Sequence, residues 1–268
     1  MKISILGTGW FGRALACSLV KDGFEVNGSV TTPNKIEPLE REGIKGYLVE
    51  LGDKPLDSHS KFWDCDALII ASNVRLASNT HYTEGIRQLI KLIQAKDIKQ
   101  TIFISSTGVY GDENRIVDES TPCVPESSSG RILLGLESLF RQLPRGRATS
   151  MRFGGLVGPG RMPGSFFAGK KDIPNGEAPV NLIHLEDCIG ITKCLLKSKH
   201  LPPVINAVSP DHPVKMNFYT LAAEVQSLPI PEFIHERSSW KVVQSRYRAA
   251  IGYDYRISDW NAWLRGLR

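Results

Sequence analysis

Apolar and polar positions along this chain follow two alternating periods. Short β-rich runs at Ile3–Leu6 and Phe24–Thr31 bracket a stretch, Gly12–Lys21, whose apolar residues recur at helical spacing and stop at Asp22-Gly23. Gly46–Leu51 predicts a third strand. Ala67–Ala71 (ALIIA) is a continuous apolar run of the kind buried on both faces of a sheet. An amphipathic helix follows over Glu84–Ala95, then a strand at Thr101–Ser105, a helix from about Ser129 to Gln142 and a strand at Ala148–Phe153. This order predicts an α/β fold of the Rossmann type, a doubly wound parallel sheet with helices on both faces.

Past Gly154 the texture changes. Gly, Pro and basic residues dominate GLVGPGRMPGSFFAGKKDIPNGEAP before Val180–His184 restores a strand, Leu185–Leu196 a helix and Val204–Val208 another strand. The last part, Asp211–Arg268, mixes helices with Pro breaks and holds three of the five tryptophans. The predicted organisation is a dinucleotide-binding domain over 1–157 and 181–209, with a small substrate-binding lobe made of 158–180 and 210–268.

Composition narrows the function classes only a little. At 268 residues, 41% hydrophobic and 23% charged, the chain has the profile of an ordinary globular protein. A net charge of +5 with scattered Lys and Arg suits a phosphate-bearing ligand better than nucleic acid. The N-terminal run is too short for a secretory signal, and no apolar stretch reaches the roughly 18 residues of a membrane span. The five cysteines follow no metal-ligand spacing and read as reduced thiols. The expectation is a cytoplasmic protein, monomer or homodimer, with no metal, no membrane and no nucleic-acid partner.

The chemistry begins at the first strand–helix junction. Gly7-Thr8-Gly9-Trp10-Phe11-Gly12 is a G-x-G-x-x-G placed between a strand and a helix. Its first glycine makes the tight turn, its second lets backbone N–H groups approach a pyrophosphate, and its third allows close helix–strand packing. The helix N-terminus adds positive partial charge. Ala71, Ser72 and Ser105, at the ends of neighbouring strands, join the expected cofactor contacts. Cofactor choice is read at the end of the second strand, where an NAD site usually places an acid for the ribose 2′-OH. Here the segment is Ser29-Val30-Thr31-Thr32-Pro33-Asn34-Lys35, with no acid, two threonine hydroxyls and a lysine. NADP is expected, with NAD as the alternative.

Further segments resemble one family. Phe103–Gly111 (FISSTGVYG) looks like the Ser-Ser-x-x-Val-Tyr-Gly segment of extended short-chain dehydrogenases, the epimerase/dehydratase branch. Arg152–Gly160, Asn181–Asp187 (NLIHLED) and Ile205–Ser209 are similar to its later segments, in order, over nearly the whole chain. More narrowly, SSGRILLGLE and GLVGPGRMPGSFFAGK resemble the YeeZ-type group of NAD(P)-binding epimerase-like proteins. The resemblance implies a nicotinamide cofactor and a nucleotide-sugar or other phosphorylated substrate.

One departure stands out. The superfamily's proton relay is a helical Tyr-x-x-x-Lys, in which a lysine one turn away lowers the tyrosine pKa. Aligned on the following Gly-Arg and on Glu137, the matching positions here are Ser129 and Leu133. Ser106 stands where the family places its catalytic Ser/Thr hydroxyl, with Thr107 beside it as a substrate contact. Tyr110, His184, His81 and Tyr82 are the candidates for a substitute acid or base. In the basic loop, Arg161, Lys170 and Lys171 can clamp an acidic group, and Phe166 and Phe167 can stack on a ring or pin the loop. Two readings follow: an NADP-dependent reductase or epimerase with non-standard catalytic residues, or a catalytically inactive NADP-binding sensor or regulator.

Overall fold

A computed structural model describes residues 1–52, 55–72, 80–144, 147–198, 200 and 202–267, with residues 80–82 described as backbone only. In chain order the first elements are β1 (Lys2–Leu6), α1 (Trp10–Lys21), β2 (Glu25–Val30), α2 (Ile36–Glu40), β3 (Lys45–Leu48) and β4 (Ala67–Ile70). Next come α3 (Thr80–Ala95), β5 (Gln100–Ser106), β6 (Arg115–Val117), α4 (Ser128–Phe140), β7 (Ala148–Phe153), β8 (Gly155–Val157) and β9 (Leu182–His184). The chain closes with α5 (Leu185–Lys197), β10 (Val204–Ala207), α6 (Lys215–Val225), β11 (Lys241–Val243), α7 (Arg248–Ile251) and α8 (Trp260–Arg265).

The apolar runs become neighbours in a seven-stranded sheet of order β10-β7-β5-β4-β1-β2-β3, every pair parallel. β4 is buried at all four positions, as its unbroken ALII run demands. The strand order reverses between β1 and β4, so the carboxyl ends of these two strands open the crevice in which doubly wound sheets bind ligands. One face of the sheet packs on α1 and α5 through Leu15, Leu19, Ile191 and Leu195; the other packs on α3 and α4 through Ile86, Leu89, Leu136 and Phe140. Each such side chain, fully buried, contributes about 1.5–3 kcal/mol.

A third apolar cluster, with Phe218, Trp260 and Leu264 at its centre, forms the small lobe. Two short parallel pairs, β8 with β9 and β6 with β11, join it to the main sheet's loops. β6 lies within the first segment yet pairs with β11, and Tyr247, Ile251, Tyr253 and Tyr255 pack on the α1/α5 face of the main core. Asp187 anchors this return: its carboxylate accepts hydrogen bonds from the Tyr253 hydroxyl (2.8 Å) and the Arg256 and Ile257 amides (2.7 and 3.3 Å). Gly190 supplies the seat, since a Cβ there would lie 2.2 Å from the Tyr253 ring. Among the described residues no helix is long and apolar enough to cross a membrane.

Several element ends differ from the sequence expectation. α1 begins at Trp10 rather than Gly12, α3 at Thr80 rather than Glu84, and β3 stops at Leu48. Thr31 and Ala71 fall just beyond β2 and β4, although the Ala71 amide still donates to the Leu6 carbonyl at 2.8 Å.

Candidate functional site

The glycine loop sits at the switch point. Gly7 has φ +100°, and a Cβ on it would come within 2.9 Å of the Ser72 amide and 3.0 Å of the Ala71 carbonyl, so the turn closes against the end of β4. At Gly12 a Cβ would meet the Gly7 carbonyl oxygen at 2.1 Å, which is the close helix–strand approach expected of the third glycine. Gly9 differs from both: nothing lies within 4 Å of its Cβ position. It is the N-cap of α1 and no side chain caps that helix, whose first hydrogen bond runs from the Arg13 amide to the Gly9 carbonyl (2.9 Å). The result is an open cradle facing the amides of a helix N-terminus, a fit for a dinucleotide's pyrophosphate.

Ser29, to which sequence reasoning gives no role, shapes this loop. Its hydroxyl accepts from the Gly7 amide (2.8 Å), and its carbonyl accepts from both the amide (3.1 Å) and the hydroxyl (2.7 Å) of Thr8. A third polar residue, after Glu25 and Asn27, near the end of β2 is the one signal for it in the sequence. Immediately after it Thr31, Thr32 and Lys35 are all exposed, on the turn that leads into α2. Among the described residues Lys35 makes no ion pair, and no acid occupies positions 29–35.

Trp10 turns the other way. Its indole N–H donates to the Pro159 carbonyl (2.7 Å), and the Arg161 guanidinium stands 5.3 Å from its ring centre. The glycine loop is thereby tied to the 158–161 turn, and exposed Arg161 is held at its mouth. Phe11 instead packs edge-on against Phe153 in the core (5.0 Å).

At the end of β5 the predicted hydroxyls separate. Ser106 is half-buried, accepts from the Gly108 amide (3.1 Å), and donates no side-chain hydrogen bond among the described residues. Thr107 is buried in the short turn that follows. Ser129 is exposed on the first turn of α4, with its Oγ 3.2 Å from that of Ser127. The two segments meet where Gly130 crosses the Gly108 carbonyl, a Cβ there lying 2.4 Å from that oxygen. Leu133 lies in the apolar cluster with Phe103, Val109 and Leu136.

The Ser105 and Tyr110 side chains are engaged in the core. The Ser105 hydroxyl donates to Glu137 (2.6 Å). Glu137 also takes a two-pronged ion pair from Arg152 (2.9 and 2.6 Å), and Arg152 donates onward to the Tyr110 hydroxyl (2.6 Å). That hydroxyl lies 3.1 Å from Asn206 Oδ1 and 3.0 Å from the Asp118 carbonyl, either of which accepts its proton. Burial, outweighing the nearby Arg152, pushes Tyr110 up to about 12. Its hydroxyl is thereby engaged within the buried Glu137–Arg152–Asn206 network. The side chains of His81 and Tyr82 lie outside the described residues.

His184 caps α5 by accepting from the Glu186 amide at Nδ1 (3.3 Å), while Nε2 points toward Gly158. Burial lowers its pKa, so the folded protein favours the neutral ring. Its stabilising share is therefore present above pH ~6.5, where the unfolded chain is also neutral, and is lost as pH falls through the lowered folded value. The thermal midpoint is expected to decline below pH ~6.5 and to do so less steeply in His184→Asn, which keeps an acceptor for the cap. Identical slopes in the two proteins would refute this assignment.

The basic loop divides as well. Phe166 and Phe167 pack on Tyr219 (6.2 and 4.7 Å), so both pin the loop to the small lobe. Lys171 pairs with Glu232 (2.8 Å), while Lys170 is exposed above the Phe167 ring.

Comparison with known proteins agrees with this geometry. Residues 7–125 match a family described as NAD(P)H-binding. Protein YeeZ of Escherichia coli (strain K12) is 38% identical over 266 residues, covering 96% of this chain and 97% of that protein. Among solved structures, a UDP-glucuronic acid 4-epimerase from Bacillus cereus in complex with NAD superposes with TM-score 0.78 at 17% identity, covering 100% of this chain and 99% of its own. A conserved protein of unknown function from Silicibacter pomeroyi gives TM-score 0.76 at 22% identity, covering 99% and 97%.

Proposed function

Since the chain belongs to the family of Protein YeeZ, we propose that it is an NADP(H)-dependent enzyme of the epimerase/dehydratase type acting on a nucleotide sugar or another phosphorylated small molecule. The observation that carries the cofactor choice is the end of β2: Thr31, Thr32 and Lys35, which makes no ion pair among the described residues, are exposed beside the cradle, and positions 29–35 hold no acid to receive a ribose 2′-OH. The substrate class is supported by the likeness to an epimerase of UDP-glucuronic acid and by the cations on the small lobe.

A nicotinamide dinucleotide, when bound, supplies hydride chemistry. The chain's own residues supply position. Gly7, Gly9 and the first turn of α1 hold the pyrophosphate, while Trp10 fixes the 158–161 turn and Arg161 beside it. Ser106 and Ser129 offer hydroxyls that orient a substrate oxygen; with Leu133 in place of a cation, neither is activated as a proton store.

That absence favours a second reading, an NADP-responsive binding protein without turnover. The two part on a simple test. The enzyme reading expects a nucleotide sugar to raise the melting temperature of the NADPH-loaded protein. The sensor reading expects no such ligand and a cofactor-dependent change of oligomeric state.

Cofactor choice has its own test. Lys35→Ala is expected to weaken NADPH binding about tenfold, the worth of one charge-assisted contact, and to leave NADH unchanged. Equal affinity of wild type and variant for NADPH would contradict the assignment of Lys35.

A further inference from the structure

Trp10 joins two parts of the site through two different groups. It is the first residue of α1, and the first amides of a helix have no acceptor inside it, so the Trp10 backbone N–H is among those open to a pyrophosphate. Its indole N–H is engaged elsewhere, on the Pro159 carbonyl, 149 positions away in the chain (2.7 Å). The ring also bounds that turn. A Cβ at Gly158 would lie 3.2 Å from the indole Cζ2, and the Arg161 guanidinium stands 5.3 Å from the ring centre.

The turn needs such a hold. Gly158 and Gly160, on either side of Pro159, take φ +151° and +74°. Glycine has the widest choice of backbone conformations, so these torsions alone give the segment little order. Two backbone bonds close it, from the Arg161 amide to the Gly158 carbonyl (2.8 Å) and from the Gly158 amide to the Arg161 carbonyl (3.4 Å). Among the described residues, the one side-chain hydrogen bond that reaches residues 158–161 comes from Trp10. Beyond the turn the chain is anchored again. Pro163–Phe166 packs on α6, where a Cβ at Gly164 would lie 2.5 Å from the Ala222 carbonyl oxygen, and Phe166 rests on Tyr219 (6.2 Å). The turn is thus a short glycine-flanked link into the small lobe, with Trp10 as its tie to α1.

We propose that Trp10 is a positioning residue through which occupation of the dinucleotide cradle orders the 158–161 turn. A pyrophosphate that takes the first amides of α1 holds the Trp10 backbone. The held backbone fixes the indole, and the indole fixes the Pro159 carbonyl and the Arg161 side chain beside the ring. Coupling of this kind is reciprocal, so an ordered turn also favours the bound cofactor. The proposal rests on the reading of the cradle as a dinucleotide site and adds what its occupation does. Arg161 is set for a second ligand only when the first is in place.

The test is amide hydrogen exchange of the full-length protein, without NADPH and with NADPH added until the glycine loop is protected. In wild type the cofactor is expected to slow exchange over residues 158–161 as well. Trp10→Phe keeps a ring for Arg161 and deletes the N–H. There the turn is expected to exchange about fivefold faster, the worth of one hydrogen bond, and NADPH no longer to slow it. Slowing that persists in Trp10→Phe would overturn the proposal, because the indole bond would then be a structural contact alone. A protected glycine loop with an unchanged turn in wild type would overturn it without any variant. Reciprocity gives a second check from the far side. Gly160→Val places a β-branched residue at φ +74°, exposed and 4.0 Å from the indole nitrogen, and is expected to weaken NADPH binding about fivefold. Unchanged affinity there would also overturn the coupling. Absence of protection in the glycine loop itself overturns the dinucleotide assignment, and the proposal with it.

Discussion

Replacing Gly9 with aspartate is expected to abolish dinucleotide binding while leaving the protein at least as stable as before. Gly9 has φ −76° and ψ −156°, which any L-residue adopts, and its Cβ position is open to 4 Å. Aspartate is among the best N-cap residues and stands a few tenths of a kcal/mol above glycine there. Its charge also complements the α1 macrodipole by about 0.3–1 kcal/mol. The same carboxylate would occupy the place of a phosphate. At an effective dielectric of about 20, like charges about 4 Å apart repel by about 4 kcal/mol, roughly a thousandfold in affinity. Melting temperature and NADPH dissociation constant, measured on one preparation, check both halves. NADPH binding that survives in Gly9→Asp would contradict the placement of the pyrophosphate.

Arg152→Met is expected to produce the largest loss of stability. Arg152 and Glu137 are 1% and 0% exposed, so removing the guanidinium leaves a core carboxylate with the Ser105 hydroxyl (2.6 Å) and, at 3.7 Å, the exposed Arg141 as its remaining partners. Breaking a buried pair in this way costs about 3–5 kcal/mol. For a chain of this size that corresponds to a fall in melting temperature of roughly 10 °C. The Tyr110 hydroxyl also loses its donor at 2.6 Å. Removing both charges, in Arg152→Met with Glu137→Leu, is expected to recover part of the loss, because the uncompensated buried charge is then gone. A single variant melting within about 1 °C of wild type would refute the structural role of this network.

The legible features are those in which local chemistry and fold agree. Gly7, Gly9 and Gly12 announce a turn and a helix start in the sequence itself, and the short, β-branched ALII run of β4 fits the strand buried on both faces that it forms. The seven-stranded parallel sheet follows from that alternation. Long-range features are not legible. The pairing of β6 with β11 joins residues more than a hundred positions apart, each element only three residues long, too short to show a period. Tyr110 and Ser105 sit in a motif that invites a chemical role, and only the approach of Glu137, Arg152 and Asn206 shows their hydroxyls to be engaged. Ser129 and Leu133 mark the converse case. The sequence places a serine and a leucine there, and the structure adds that Leu133 is buried in the core while the Ser129 hydroxyl lies 3.2 Å from that of Ser127.

The central claim is that the cradle at Gly9 and the acid-free end of β2 bind NADP(H). Parallel titrations of the purified protein with NADPH and NADH, followed by quenching of tryptophan fluorescence, test it most directly, since Trp10 lies in the glycine loop itself. The prediction is tight NADPH binding with weak NADH binding. Binding of neither would contradict it: the Rossmann frame would then serve as a scaffold, and the enzyme reading would fall with the cofactor.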